Sequence, residues 1–187
     1  VTYDVTVPYI RMAAGPMDYT QGAMTNATRQ NFRGVYDEPM SQGTRCRQLA
    51  EYVVFESPLN MLCDSPVKYR AASECARFIA DVPSVWDETV ALDGKVSEYI
   101  VMARRKAEVW YVGAMTDWNA RTLEMELDFL PEGNYKVEIY QDGANADKFA
   151  TDYIKYEIDL QPDRKLKIQM APAGGWVAKI LPCRCSE

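Results

Sequence analysis

Two carboxylates stand in matching positions of the sequence: Asp18 in "AGPMDYTQG" and Asp64 in "LNMLCDSP", each following an apolar run that leads into a turn. Glycosidic chemistry needs such a pair, about 5–10 Å apart on either side of a sugar. The same residues also have plainer uses. Asp18 can hold its own turn, and Asp64 can cap the helix that follows it. Met17, Asp18 and Asp64 are therefore candidates to line a substrate-binding pocket, and no residue of the chain is given a catalytic role.

The rest of the inventory narrows the chemistry further. There is no histidine, so the commonest general base and metal ligand is missing, and hydrolysis would have to rest on carboxylates or thiols. The five cysteines are odd in number, and the closing "PCRCSE" gives Cys183 and Cys185 a C-x-C spacing without the second Cys pair of a zinc site. They read as free thiols, and no metal ligand is assigned. Asp37 and Glu38 in "VYDEPMSQG" read as a solvated acidic turn. Trp86 in "VWDET" reads as a packing residue at a junction rather than a sugar platform. Trp110, Trp118 and Trp176 fall among the later strands, where one exposed Trp would permit sugar stacking, but core packing suits Trp110 and Trp176 better. Phosphate-binding loops, dinucleotide fingerprints, serine elbows and zinc motifs are absent.

The elements that must position these residues change character near Pro83. Before it, "YIRMAAG" (Tyr9 to Gly15) reads as a buried strand, and a long polar loop runs from Thr20 to about Gly43. Thr44 then caps a helix over "RCRQLAEYVVFE", which Ser57-Pro58 stops. "LNMLCD" reads as a second strand, and Val67 to Ala80 as a second helix with Ala72, Cys75, Ala76 and Ile79 on one face. Strand, helix, strand, helix is the grammar of parallel βα units, whose strand ends share the face that carries chemistry. Two such units leave open edges and uncovered apolar faces, so they predict the end of a larger barrel.

After Pro83 the pattern is alternation. "RTLEMELDF", "YIKYEIDL" and "RKLKIQMAP" each present one wet and one buried face, and five further runs, from "VWDETVAL" to "GGWVAKIL", complete about seven or eight strands. The expected fold class is α/β plus all-β: residues 1–82 as the last two βα units of a (β/α)8 barrel, and residues 83–187 as an antiparallel β-sandwich.

Charge excludes other classes. The 187 residues carry 21 basic and 27 acidic side chains, a net charge of −6, with no basic stripe among aromatics, so nucleic acid is not an expected partner. No apolar run approaches the ~20 residues of a membrane helix, and no targeting segment opens the chain, so no membrane is expected either. The chain starts at Val1, which predicts a processed product or a piece of something longer.

Taken together, "PYIRMAAGPMDYTQGAM", "MSQGTRCRQLAEYVVFESPLNMLCDSP", "FIADVPSVWDETVALDGKVSEYIVMARRK", "WYVGAMTDW" and "LDFLPEGNYKVEIYQDGANAD" resemble glycoside hydrolase family 97, the calcium-dependent α-glucosidases and α-galactosidases. The resemblance covers nearly the whole chain, in order. It implies a parent enzyme with an N-terminal β-sandwich, a central (β/α)8 barrel and a C-terminal β domain, of which this chain matches the last two barrel units and the C-terminal domain. It implies an α-linked oligosaccharide substrate, a Ca2+ cofactor and a periplasmic or secreted location. The family's catalytic glutamates and calcium ligands would then lie upstream of Val1, on the missing N-terminal part of the chain, and the segment alone would be inactive. The alternative is a stand-alone carbohydrate-binding or structural β-module.

Overall fold

The structure, a computed structural model, describes residues 1–183. Its main feature is a six-stranded antiparallel sheet built from β5 (Glu88–Lys95), β6 (Tyr99–Lys106), β7 (Val109–Thr116), β9 (Tyr135–Asp142), β10 (Tyr153–Asp159) and β12 (Gly175–Pro182). The strands run in the order β10-β9-β12-β7-β6-β5. β8 (Arg121–Glu126) and β11 (Lys165–Met170) form a separate antiparallel pair. All eight strands expected after Pro83 are present, but six lie in one sheet and two in the other, so the sandwich is uneven.

The central strands explain that asymmetry. β6, β7 and β12 are buried along almost their whole length, because both faces of the sheet are covered. A strand wet on one face alternates, whereas one covered on both reads as a continuous apolar run. One face, with Val101, Val112, Val137, Trp176 and Ile180, packs on Met125, Leu166 and Ile168 of the β8–β11 pair. The other, with Met102, Tyr111, Met115 and Val177, packs on Leu49, Ala50 and Val53 of α2 (Arg45–Val54).

Nine of the ten residues of α2 are buried, so it behaves as an interior helix rather than a surface one. Thr44 caps it as expected, its hydroxyl accepting from the Arg47 N–H at 3.2 Å. Gly113 and Gly175 let it approach the sheet: a Cβ on Gly113 would sit 2.9 Å from the Val53 Cβ, and one on Gly175 would sit 2.4 Å from the Arg47 Cα. Two buried arginines then tie helix to sheet. Arg47 donates to the Thr116 carbonyl at 2.7 Å, and Arg104 of β6 donates to the Val54 carbonyl at 3.1 Å, where the helix leaves a carbonyl unpaired.

The first 82 residues form a smaller parallel arrangement. β1 (Tyr19–Gln21) pairs in parallel with β4 (Asn60–Leu62), and α2 connects them as a βαβ unit. The loop between β1 and α2 carries a short parallel pair of its own, β2 (Asn26–Ala27) with β3 (Ser41–Gln42). The apolar cluster beneath α2 draws on both sides of residue 83, from Val5 to Val177, so this region and the sheet share one core.

Two expectations are corrected. Tyr9–Gly15 is not a strand: α1 (Val7–Ile10) and a 3-10 turn (Met12–Ala14) occupy it. Pro8 favours a first helical turn because its φ is preset and no amide is lost, and Gly15 ends the segment at φ 117°. The true strand begins after Gly15-Pro16, three residues long and partly polar. The helix expected over Val67–Ala80 is two helices, α3 (Pro66–Ala71), capped by Ser65, and α4 (Ser73–Asp81), with the break at Ala72.

Candidate functional site

The corrected strand moves the candidate carboxylates apart. Asp18 immediately precedes β1, whereas Asp64 follows β4, and the two strands run in parallel with Tyr19 opposite Asn60 and Gln21 opposite Leu62. The two acids therefore lie at opposite ends of the pair. Asp18 is exposed, and Met17 is buried in the core, its amide donating to the Glu56 carbonyl at 2.9 Å. Only Asp64 stands at the C-terminal strand end, the end where βα units carry chemistry.

Around Asp64 the structure assembles a tightly braced turn. The Asp64 Oδ2 accepts from the Met24 N–H at 2.8 Å, and Oδ1 from the Ser65 N–H at 2.7 Å. The Gln48 Oε1, from the middle of α2, accepts from both Gly22 N–H (2.9 Å) and Ala23 N–H (3.1 Å). Tyr69 donates to the Gly22 carbonyl at 2.9 Å, Tyr52 donates to the Gln21 carbonyl at 3.0 Å, and Arg45 donates to the Met24 carbonyl. Gly22 is required here, because its φ of 91° is left-handed and a Cβ would lie 2.4 Å from the Tyr52 hydroxyl. Burial raises the Tyr69 phenol to about 12 and the neighbouring Cys63 thiol to about 11, so both stay protonated at neutral pH.

A second buried cluster adjoins this turn. Arg47 meets Asp4 at 3.0 Å and Glu51 at 3.6 Å. Burial pushes the Glu51 carboxyl up to about 8, against the pull of Arg47. Burial also opposes the Asp4 carboxylate, but the Arg47 guanidinium and the terminal ammonium outweigh it and hold that carboxyl below its usual range. A concavity of about 340 Å³, lined by Asp4, Tyr19, Thr20, Gln48, Glu51 and Cys63, opens beside these groups.

This arrangement is suited to positioning. Both Asp64 oxygens accept from backbone amides, so the carboxylate fixes the Gly22–Met24 turn, and the Cys63 thiol beside it stays protonated. Gln48, Tyr52 and Tyr69 do the holding, and sequence reasoning missed all three: a single Gln or Tyr on an apolar helix carries no spacing signal. Three of the acids noted in the sequence pair on the surface. Glu38 pairs with Lys68, Asp87 with Lys106 and Glu88 with Arg105. Trp86 packs edge-to-face on Tyr111, as expected of a junction residue. Cys183 is exposed, and Cys185 lies outside the described residues.

The chain is thus a parallel βαβ unit leading into an antiparallel sheet covered on both faces. A family model described as "Glycosyl-hydrolase 97 C-terminal, oligomerisation" matches residues 85–181. The chain belongs to glycoside hydrolase family 97. It is 55% identical over 180 residues to a "Retaining alpha-galactosidase" of Bacteroides thetaiotaomicron, covering 96% of this chain and 27% of that protein. A "Probable retaining alpha-galactosidase" of Streptomyces bingchenggensis is 30% identical over 138 residues, 74% of this chain and 20% of the relative. Among solved structures, a family 97 enzyme from Pseudoalteromonas sp. strain K8 in complex with panose superposes with a TM-score of 0.86 at 34% identity, covering 98% of this chain and 29% of that one. The same enzyme in complex with acarbose gives 0.84 at 35% identity, with the same coverage. The chain thus spans about a quarter of the length of the relatives it matches.

Proposed function

We propose that this chain is the C-terminal part of an exo-acting α-glycosidase that hydrolyses α-linked galactosides, with α-glucosides as the alternative substrates. The observation that carries the reading is the β1–β4 pair. It is a parallel βαβ unit with no further strand on either side among the described residues, and it leaves Leu59, Met61 and Leu62 exposed. Parallel strands normally have both faces and both edges covered. Six further βα units upstream would supply that cover and close a (β/α)8 barrel. The identity to a retaining α-galactosidase favours galactose.

In this reading the catalytic carboxylates lie upstream, on strands that the parallel pair would adjoin. A retaining mechanism would set a nucleophile and an acid/base about 5–5.5 Å apart. The residues of this chain hold the wall: Gln48, Tyr69 and Asp64 fix the Gly22–Met24 turn at the barrel's chemical end. Of the three residues put forward from the sequence, Asp64 is the one kept as a substrate-side residue; Met17 lies in the core and Asp18 at the opposite end of the pair. The described residues do not fit a calcium site. Ca2+ takes roughly six to eight oxygens, and no group of three or more acidic or thiol side chains converges among them. The calcium of this reading would be held upstream, and no step here runs through it. Among the described residues no helix is long and apolar enough to cross a membrane. A periplasmic or secreted location belongs to the same proposal.

The test compares the 187-residue chain with the same chain joined to its upstream reading frame, on nitrophenyl α-galactoside and α-glucoside with calcium. The extended protein should hydrolyse the galactoside faster and release the α-anomer first, as seen by NMR. Hydrolysis by the short chain at a comparable rate would refute the reading.

A further inference from the structure

Three of the four tryptophans serve a core. Trp176 is fully buried, Trp110 packs on Phe129 at 4.5 Å with the rings tilted, and Trp86 packs on Tyr111 at 5.5 Å. Trp118 belongs to neither apolar cluster. It is half-buried in the turn after β7, with the Arg29 guanidinium 5.5 Å above its ring. A large apolar ring held outside the core is a feature of binding surfaces.

The turn that carries Trp118 is braced beyond what a connection needs. Asp117 accepts from the Asn119 backbone N–H at 3.0 Å and from its side-chain amide at 2.8 Å, and its own amide donates to the Glu98 carbonyl at 2.7 Å. Thr116 donates to the Asn119 carbonyl at 2.9 Å, and Ala173 donates to the Asp117 carbonyl at 2.6 Å. The backbone that carries the ring is therefore held before any ligand arrives, which lowers the entropic cost of binding.

Trp118 faces a groove of about 440 Å³ that it shares with Arg29, Gln30, Asp147 and Lys148. Asp147 and Pro172 also line a second groove of about 700 Å³, which adds Arg121, Thr122, Gln141 and Gln169. The two adjoin. The lining is one aromatic face edged by guanidinium, ammonium, carboxylate and carboxamide groups. A pyranose is complementary to that set: its C–H face is apolar and packs on an aromatic ring, while its hydroxyls both donate and accept at the edges.

We infer that the Trp118–Asp147 groove is an accessory binding site for α-linked oligosaccharides, separate from the Gly22–Asp64 turn. The indole is the stacking platform, with Arg29 over one of its faces and the sugar on the other, and the second groove receives the next sugar units. A platform of one aromatic ring gives weak binding, with a Kd on the order of 1–10 mM. The sugar class rests on the proposed function, but the site does not depend on turnover.

The test is a titration of the 15N-labelled chain with raffinose and with panose, reading the four indole N–H signals. The Trp118 signal is the one missing in Trp118→Phe. Either sugar should move that signal saturably and leave the other three in place. Trp118→Ala should weaken binding by at least about tenfold, and Asp147→Asn by a few-fold, both with an unchanged melting temperature. If Trp118→Ala fails to fold, Asp147→Asn, on an exposed side chain, carries the comparison. No saturable shift at roughly 50 mM of either sugar, or undiminished binding in both variants, overturns the inference. A hydrolase that is active in its extended form yet shows no such shift would sink this site alone; binding by a chain whose extended form lacks activity would sink the proposed function alone.

Discussion

The two sheets flanking α2 differ in how completely they satisfy themselves. On one side, β6, β7 and β12 have neighbours on both edges and cover on both faces, with Trp176, Val177 and Ile180 shielded from solvent. On the other, among the described residues β1 and β4 have only each other, and Met61 and Leu62 are 43% and 55% exposed. The helix between them is buried all round because it serves both. The inner strands of the sheet are thus covered as they stand, whereas the parallel pair leaves apolar side chains in water, which the proposed reading would cover with further βα units. Substitutions on the two sides should separate accordingly.

The largest effect belongs to the covered side. Trp176→Ala empties a fully buried site between the six-stranded sheet and the β8–β11 pair, and should cost about 3–5 kcal/mol, read as a lower urea midpoint. A loss below about 1 kcal/mol would mean that the sheet is not the centre of stability. Next comes the contact of helix with sheet. In Gly175→Ala the added methyl meets Arg47 backbone atoms at 2.4 Å, too close for a rotamer change to relieve, so α2 must shift. The expected cost is about 1–3 kcal/mol. A neutral result would show that α2 rides loosely on the sheet.

A smaller effect separates the two sides by pH. Burial raises the Glu51 carboxyl from 4.5 to about 8, and Asp142, beside the start of α2, from 3.8 to about 7. Each holds a proton in the folded state that the unfolded chain releases at lower pH. Their stabilising contribution is therefore full below about pH 4 and is lost as pH rises through 7 to 8. Asp4, held low by Arg47, acts in the opposite sense: its contribution is present above pH 3.8 and is lost as pH falls. Urea unfolding should show the chain weakening by more than about 1 kcal/mol from pH 5 to pH 8, and Glu51→Gln should flatten most of that slope. An unchanged slope in the variant would remove Glu51 from the account.

Much of this was legible in the sequence, and the failures have definite physical causes. The strands after Pro83 announced themselves through alternation where one face is wet, as in β8 and β11. Where both faces are covered, they showed as bounded apolar runs. Thr44 marked the start of α2 because an N-cap is a local chemical event. Tyr9–Gly15 misled because a short apolar run ended by Gly-Pro suits either a strand or a Pro-started helical turn. β1, with the sequence "YTQ", is too short for any period to show. That single displacement carried Asp18 to the wrong end of the pair. Gln48 was invisible because its role depends on α2 lying across the Gly22–Met24 turn, which no spacing along the chain encodes. Trp118 was read only as one of three tryptophans among the sandwich strands, and its freedom from the core needed the fold.

The smallest effect is the most informative about the parallel pair. Leu62 sits on β4 with more than half of its surface in water, so Leu62→Ser in this chain should change stability by less than about 0.5 kcal/mol and reduce aggregation, since it removes an apolar residue from an open edge. In the chain extended upstream, the same face should lie against the next βα unit. There Leu62→Ser would bury a hydroxyl in place of a leucine and cost about 2–3 kcal/mol. The sign of the comparison is what matters: a substitution that is harmless in the short protein and damaging in the long one locates the missing cover on β4. Equal and small effects in both would leave that face open to solvent in the longer protein as well, and the parallel pair would then need another explanation than a closing barrel.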